Sequence, residues 1–322
     1  MGESALLAEL VHLAGAGGRD GVIGPGDDAA GVGLGDGGIG LWSVDSVVEG
    51  VDFRRDFQSP YRLGRKAWRV AASDLAAMGV RPQAGLAAAL LPPGASARAL
   101  AAIQLGLVEA AAADRAYLAG GDLSATPGPL ALTVTVWGRV QGRAPVRLGG
   151  GKAGEALVVT GSLGGAAAAL ALLDSGQSVP AGLEERLCDP PARWQAGEAL
   201  AQGGVSAMTD LSDGLLLDLE RLCAAAGLGA ELWAERLPVD LALLDRLPDR
   251  APELALTGGE DFELLAAVSP TRLSELVRGW TDAGLPPLTE VGVLRAPPGI
   301  ALLSEPGGRP LPLPERRGHR HF

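Results

Sequence analysis

Asp210 and Asp213 stand three residues apart in TDLSDGLLLDL, with Ser212 between them and a leucine-rich run behind. Leu215, Leu219 and Leu222 recur at helical spacing, which predicts a helix that starts near Asp213 and buries one stripe. One carboxylate at its mouth can accept hydrogen bonds from the unpaired N–H groups of a first turn. A second is harder to explain by capping, and a metal role stands beside the capping role. Five further stretches put acid beside small residues: GPGDDAA (24–30), SVDSVVEGVDF (43–53), SDLAAMG (73–79), GGDLS (120–124) and TGGEDFELL (257–265). Each alone suits a turn or a cap, and all five are expected at loop positions. Their number points to a shared task.

The chemistry open to them is narrow. The histidines are His12, His319 and His321, all near the ends of the chain, which makes a Ser-His-Asp triad hard to build. Glycoside hydrolysis needs two carboxyl groups, not about seven. A hard cation fits better, because Mg²⁺ takes oxygen ligands and is commonly shared between a few carboxylates and substrate phosphates. An acidic protein carrying Mg²⁺ can bind a polyanion that it would otherwise repel. LGGGKAG (148–154) fails as a Walker phosphate loop, since Ala153 follows the lysine where Ser or Thr is needed. TGSLGG (160–165) reads as a plain strand-to-helix turn.

Composition agrees. Net charge is −11 with a pI near 4.8, which argues against a nucleic-acid partner, whose backbone needs a basic face. Apolar content of 47% and charged content of 20% describe a soluble globular chain. The apolar runs are too short for a bilayer and MGESALLAEL lacks a basic n-region, so a cytoplasmic protein without a membrane partner is expected. Cys188 and Cys223 have no metal-ligand spacing and are expected as buried thiols.

The elements that must position these residues alternate. Strands are expected over 40–44, 84–91 and 131–140, with helices over 61–78 and 95–112. The Gly-rich basic stretch 142–154 marks a boundary, giving domains 1–145 and 146–322. Beyond it, strands are expected over 156–160, 207–209, 229–233 and 262–268, helices over 164–173 and 193–202, and a Pro- and Gly-rich tail from 297 that wraps the surface. At 322 residues, two cores are reasonable.

The ordered series GDDAA, VDSVVEGVDF, RKAWRVAASDLAAMGVRP, GGDLS, GRAPVR, VTGSLGG, TDLSDGLLLDL, GGEDFELL and GHRHF resembles the thiamine-monophosphate kinase family from residue 26 to 322. SDLAAMG and LSDG are also similar to the wider superfamily of aminoimidazole ribonucleotide synthetase, selenophosphate synthetase and a hydrogenase maturation factor. The resemblance implies an α/β domain followed by an α+β domain, with the N-terminal sheet forming a homodimer interface. It implies Mg²⁺-assisted transfer of the γ-phosphoryl group of ATP onto thiamine monophosphate. By motif position it assigns magnesium to Asp28, Ser43, Val44, Asp45, Asp74, Asp122, Asp210 and Asp213, with Asp210, Asp45 and Asp122 the carboxylates on which catalysis depends. Gly121, Asp122, Arg147 and Ser212 would contact ATP, and Asp52, Glu260 and His319 the acceptor. Asp27 would only shape its turn. Asp52 replaces a usual His, His319 a frequent aromatic residue, and Val44 a common Thr. The alternatives are a superfamily synthetase or kinase with another acceptor, or a catalytically silent nucleotide-binding partner.

Overall fold

The structure, a computed structural model, describes residues 3–14 and 22–319. In the first half the order is α1 (Glu3–Ala14), β1 (Val22–Ile23), β2 (Ala30–Gly33), β3 (Ile39–Val48), α2 (Pro60–Ala77), β4 (Pro82–Leu91), α3 (Ala97–Ala113), β5 (Tyr117–Ala125) and β6 (Ala131–Val140). Ser59 and Ser96 start the two long helices, each accepting a hydrogen bond from a first-turn N–H. The six strands run β1-β2-β3-β6-β4-β5, antiparallel except for the β4/β5 pair.

Strand alternation decides what each face of this sheet does. Leu41, Val47, Leu132, Val134 and Val136 point into the core that α2 and α3 cover. The two helix backbones touch because residues 64 and 106 are glycines. A Cβ at Gly64 would strike the carbonyl of Ile103, and one at Gly106 that of Tyr61. Among the described residues the opposite face is left open. Register places Val44, Thr135 and Leu86 in one row across β3, β6 and β4, and Trp42 beside Trp137 in the next. Val44 is 61% exposed and Leu86 50%.

The second half continues with β7 (Ala156–Thr160), α4 (Gly165–Asp174), α5 (Ala181–Cys188), α6 (Trp194–Gln202), β8 (Ala207–Asp210), α7 (Leu215–Ala226), β9 (Gly229–Trp233), α8 (Leu241–Arg246), α9 (Ala251–Thr257), β10 (Leu264–Val268), α10 (Pro270–Trp280), β11 (Leu288–Arg295), β12 (Gly299–Leu303) and β13 (Pro310–Leu311). Its sheet runs β13-β12-β9-β11-β7-β10-β8. Every residue of β7, β8 and β10 is buried, as expected of strands covered on both faces. The helix α2 ties the halves together. A Cβ at Gly197 of α6 would meet the Ala76 carbonyl, so those helices also touch. Buried Asp114, at the end of α3, accepts from Trp68 Nε1 at 2.8 Å and from Trp194 Nε1 at 3.2 Å. Both cysteines are buried free thiols, and among the described residues no helix is long and apolar enough to cross a membrane.

Three expectations need correction. The acidic stretches are not all loops: Asp45 lies within β3, Asp74 within α2 and Asp122 within β5. The helix after TDLSD begins at Leu215, and neither Asp210 nor Asp213 caps it. Asp218, inside the first turn, accepts from the N–H groups of Asp213 and Gly214 at 3.1 and 3.0 Å. The tail does not merely wrap the surface. It adds β12 and β13 to the second sheet, and His319 N–H then donates to the Asp213 carbonyl at 2.9 Å.

Candidate active site

Strand β8 ends at Asp210, helix α2 nears its end at Asp74, and the turn before β2 presents Asp28. These three carboxylates converge, each offering an oxygen within 4.8 Å of the others. They are held by hydroxyls rather than by cations. Thr209 donates to Asp28 Oδ1 at 2.9 Å, Ser73 to Asp210 Oδ2 at 2.6 Å, and Ser43 to Asp74 Oδ2. None of the three makes an ion pair among the described residues. Asp28 Oδ2 is buried with no hydrogen-bond partner at all, a costly state for a carboxylate oxygen unless something positive meets it.

Burial and mutual repulsion push the three acids upward. Asp28 is raised well above the ordinary carboxylate range by burial, then by the charges of Asp210 and Asp27. Asp74 is raised likewise by burial, then by Asp210, Asp45 and Asp28. Asp210 is pushed up to about 6, chiefly by burial, with Asp213 adding to it and the Ser73 hydroxyl opposing. Clustered, desolvated carboxylates with an orphaned oxygen are the donor set of a hard divalent cation, and Mg²⁺ fits it.

Ser43 and Asp45 share the helix-facing side of β3 with this cluster, and the Asp45 charge reaches Asp74. Val44 points the other way. Asp122 is also elsewhere: register pairs it with Ala88, in the row of Thr133 and Ser46, on the face opposite Asp45. Its carboxylate accepts from Ser124 at 2.8 Å. A Cβ on neighbouring Gly121 would collide with the Ala87 carbonyl, so only glycine lets β5 lie this close to β4.

Beside the cluster, residues 210–213 and 260–263 continue the β8–β10 pairing irregularly, through Glu260 N–H to the Ser212 carbonyl at 2.8 Å and Phe262 N–H to that of Leu211 at 2.9 Å. Glu260 and Phe262 both take positive φ, +66° and +48°, a strained backbone of the kind that gathers at binding sites. Ser212 lies 3.5 Å from Asp210 Oδ1. Asp213 pairs with Arg221 at 2.6 Å, and Arg221 also meets Asp218. Arg147 is half exposed and pairs with Asp27, whose other oxygen accepts from Leu148 N–H at 3.2 Å. Asp27 thus orients this arginine as well as shaping its turn.

The three residues expected at the acceptor flank one side of this region. Glu260 pairs with Lys66 at 2.7 Å, and Lys66 also donates to the Asp52 carbonyl at 2.9 Å. The Asp52 carboxylate accepts from Val48 N–H at 2.7 Å, closing the turn after β3. His319 packs beside Gly259, whose Cβ position lies 3.4 Å from that of the histidine. The other acids of GGEDFELL do structural work. Asp261 accepts from Gly164 N–H at 2.8 Å, so a carboxyl group already occupies the mouth of α4, and Glu263 grips Arg193 with both oxygens. Sequence reasoning passed over Lys66, Ser73, Thr209 and Asp218. Ser73 and Thr209 directly precede Asp74 and Asp210, and that adjacency was the available signal.

Residues 26–140 match the family described as AIR synthase related protein, N-terminal domain, and residues 152–303 match its C-terminal domain. Thiamine-monophosphate kinase of Escherichia coli K12 is 35% identical, covering 100% of this chain and 98% of its own. That of Mycobacterium tuberculosis H37Rv is 38% identical over 82% of this chain and 78% of its own. A solved structure described as AaThiL complexed with AMPPCP and TMP superposes with a TM-score of 0.85 at 27% identity, covering 100% of this chain and 97% of that one. The hydrogenase maturation protein HypE of Escherichia coli, 21% identical with a TM-score of 0.70 over 86% of both chains, shares the fold.

Proposed function

The chain belongs to the thiamine-monophosphate kinase family of AIR synthase related proteins, and from that premise we propose that it transfers the γ-phosphoryl group of ATP to the phosphate of thiamine monophosphate. The products are thiamine diphosphate and ADP. The observation that carries this reading is the convergence of Asp28, Asp74 and Asp210 with an orphaned buried oxygen, in a chain with full-length kinase relatives. Those three residues would hold Mg²⁺, with Ser43, Asp45, Asp213 and the Val44 carbonyl adding oxygens. The ion would neutralise charge on the polyphosphate, which is most of what phosphoryl transfer requires.

The protein's own groups do the rest. Asp27 presents Arg147 toward the nucleotide phosphates, and Gly121 and Ser212 contact ATP. The acceptor lies against Glu260, the Asp52 turn and His319, with its phosphate oxygen as the nucleophile and no phosphoenzyme. Residues 1–145 supply most of the metal side and 146–322 the loops that face it. The protein works in the cytoplasm as a homodimer. The outward-facing Trp42, Val44, Leu86 and Leu90 form an apolar face that a second copy would cover, beside the open edge of β5. Asp122 shares that face, so its metal and nucleotide roles depend on the interface.

The experiment is incubation of the protein with ATP, Mg²⁺ and thiamine monophosphate, with unphosphorylated thiamine and chelator as controls, and chromatography of the thiamine esters. Thiamine diphosphate formed only with the monophosphate and Mg²⁺ is expected. ATP binding without that product would favour another acceptor, which the substitutions at positions 52 and 319 would then mark.

A further inference from the structure

Lys66 is one of only two lysines in the chain, and it is 0% exposed. A buried ammonium is costly unless each of its donors has a use. Here the uses are specific. Nζ pairs with Glu260 Oε1 at 2.7 Å and donates to the Asp52 carbonyl at 2.9 Å. Glu260 belongs to the loop before β10, Asp52 to the turn after β3, and Lys66 to α2 between them, so one ammonium joins the two halves of the chain. Both partners are residues that the functional reading places at the acceptor.

The partners are also the parts of that wall least able to hold themselves. Glu260 sits at φ +66°, a conformation an L-residue keeps only when its surroundings impose it. Its side chain remains 31% exposed, so it reaches the open side of the site with one oxygen committed to Lys66. The Asp52 carboxylate is spent on Val48 N–H, which leaves its carbonyl to bind the turn to the rest of the site. No other ion pair of Glu260 occurs among the described residues.

We propose that Lys66 is a positioning residue for the acceptor: by clamping Glu260 and the Asp52 carbonyl together it fixes the width of the thiamine-binding wall and aims the second oxygen of Glu260 at the substrate. This rests on the functional reading above. The ammonium engages one oxygen of Glu260, leaving the other as an oriented acceptor suited to the exocyclic amine of the substrate's aminopyrimidine ring. Lys66 stands in the opposite role to Arg147, which addresses the nucleotide, so the two halves of the reaction separate in the assay.

The test is steady-state kinetics on Lys66→Met, Glu260→Gln and the double variant, with thiamine monophosphate and ATP varied in turn. Removing a charged hydrogen-bonding partner is expected to raise the KM for thiamine monophosphate roughly 10- to 100-fold. The KM for ATP should stay within about twofold, because the ammonium touches nothing on the nucleotide side. The double variant should be no worse than the poorer single one, since both changes cut the same contact. If Lys66→Met does not fold, Lys66→Gln, which keeps a donor, takes the same measurements with the same expectations. An unchanged acceptor KM, a parallel rise in both KM values, or additive losses would each overturn the proposal. Wild-type protein that leaves thiamine monophosphate untouched would overturn the functional reading itself, and the assignment with it.

Discussion

Changing Asp210 to Asn separates two roles that usually fail together. In the metal-free fold this carboxylate is raised from its ordinary 3.8 to about 6. An acid whose folded value is raised binds more protons folded than unfolded between those values, so stability falls as pH climbs through that window. About two pH units at 1.36 kcal/mol each amount to about 3 kcal/mol of stability forfeited once Asp210 is ionised. Asparagine is nearly the same size, can still accept from Ser73 Oγ, and carries no charge. It also removes one named cause of the upward shifts of Asp28 and Asp74. In chelator near pH 8, Asp210→Asn should therefore melt about 4 °C higher than wild type, and the gap should close toward about pH 4. With Mg²⁺ present the order reverses, because wild type gains stability from the ion while the variant has lost a ligand. Thiamine diphosphate formation should fall by roughly 10²- to 10³-fold. Differential scanning calorimetry with and without Mg²⁺ reads the first effect and the ester assay the second. A variant that melts below wild type in chelator and gains as much from Mg²⁺ would refute the idea that the three carboxylates are a repulsive set awaiting a cation.

Asp261 offers a neighbouring contrast. Burial pushes its carboxyl up to about 8 while Gly164 N–H donates to it, so at neutral pH it works largely as a neutral cap for α4. Asp261→Asn should match wild type within about 0.5 kcal/mol in urea unfolding near pH 4 and become the more stable of the two as pH rises toward 8, because only the wild-type carboxyl must be kept protonated against its unfolded-state preference, whereas Asp261→Ala should cost about 1–2 kcal/mol near pH 4. Wild-type stability at this position is lost as pH rises toward 8, and the Asn variant should lack that decline. On the outward face, Leu86→Glu puts a charge into the Val44–Thr135–Leu86 row. Light scattering should report a monomer for this variant and a dimer for wild type, and an unchanged mass would dismiss that face as the interface.

Much of the frame was legible because it rests on local rules. The strand over 131–140 matches β6, where alternate residues are buried, and the helices expected over 61–78 and 95–112 correspond to α2 and α3. The acid-bearing stretches were legible as a group for the same reason, since carboxylates beside small residues have few uses. What could not be read was which acids would meet. Asp28, Asp74 and Asp210 come from a turn, a helix and a strand end, and only the packing of α2 across both sheets brings them together. Asp45 and Asp122 look alike in sequence, yet a parallel pairing with one register shift puts them on opposite faces. Asp218 and Asp261 were hidden as caps because each serves a backbone that another part of the sequence supplies or that begins before it.

The cations explain why the cluster is built as it is. Lys66 is committed to Glu260, Arg147 to Asp27, Arg221 to Asp213 and Asp218, and Arg193 to Glu263. Each sits at the border of the site, paired with an acid that is not one of the central three. Among the described residues the triad receives hydroxyl donors, which satisfy single lone pairs without cancelling charge. A lysine or arginine among the three would satisfy the protein but exclude a divalent ion. Keeping arginine at the rim leaves the carboxylates without a counter-charge, and on the proposed reading a metal arriving with the polyphosphate would recover that electrostatic cost on binding.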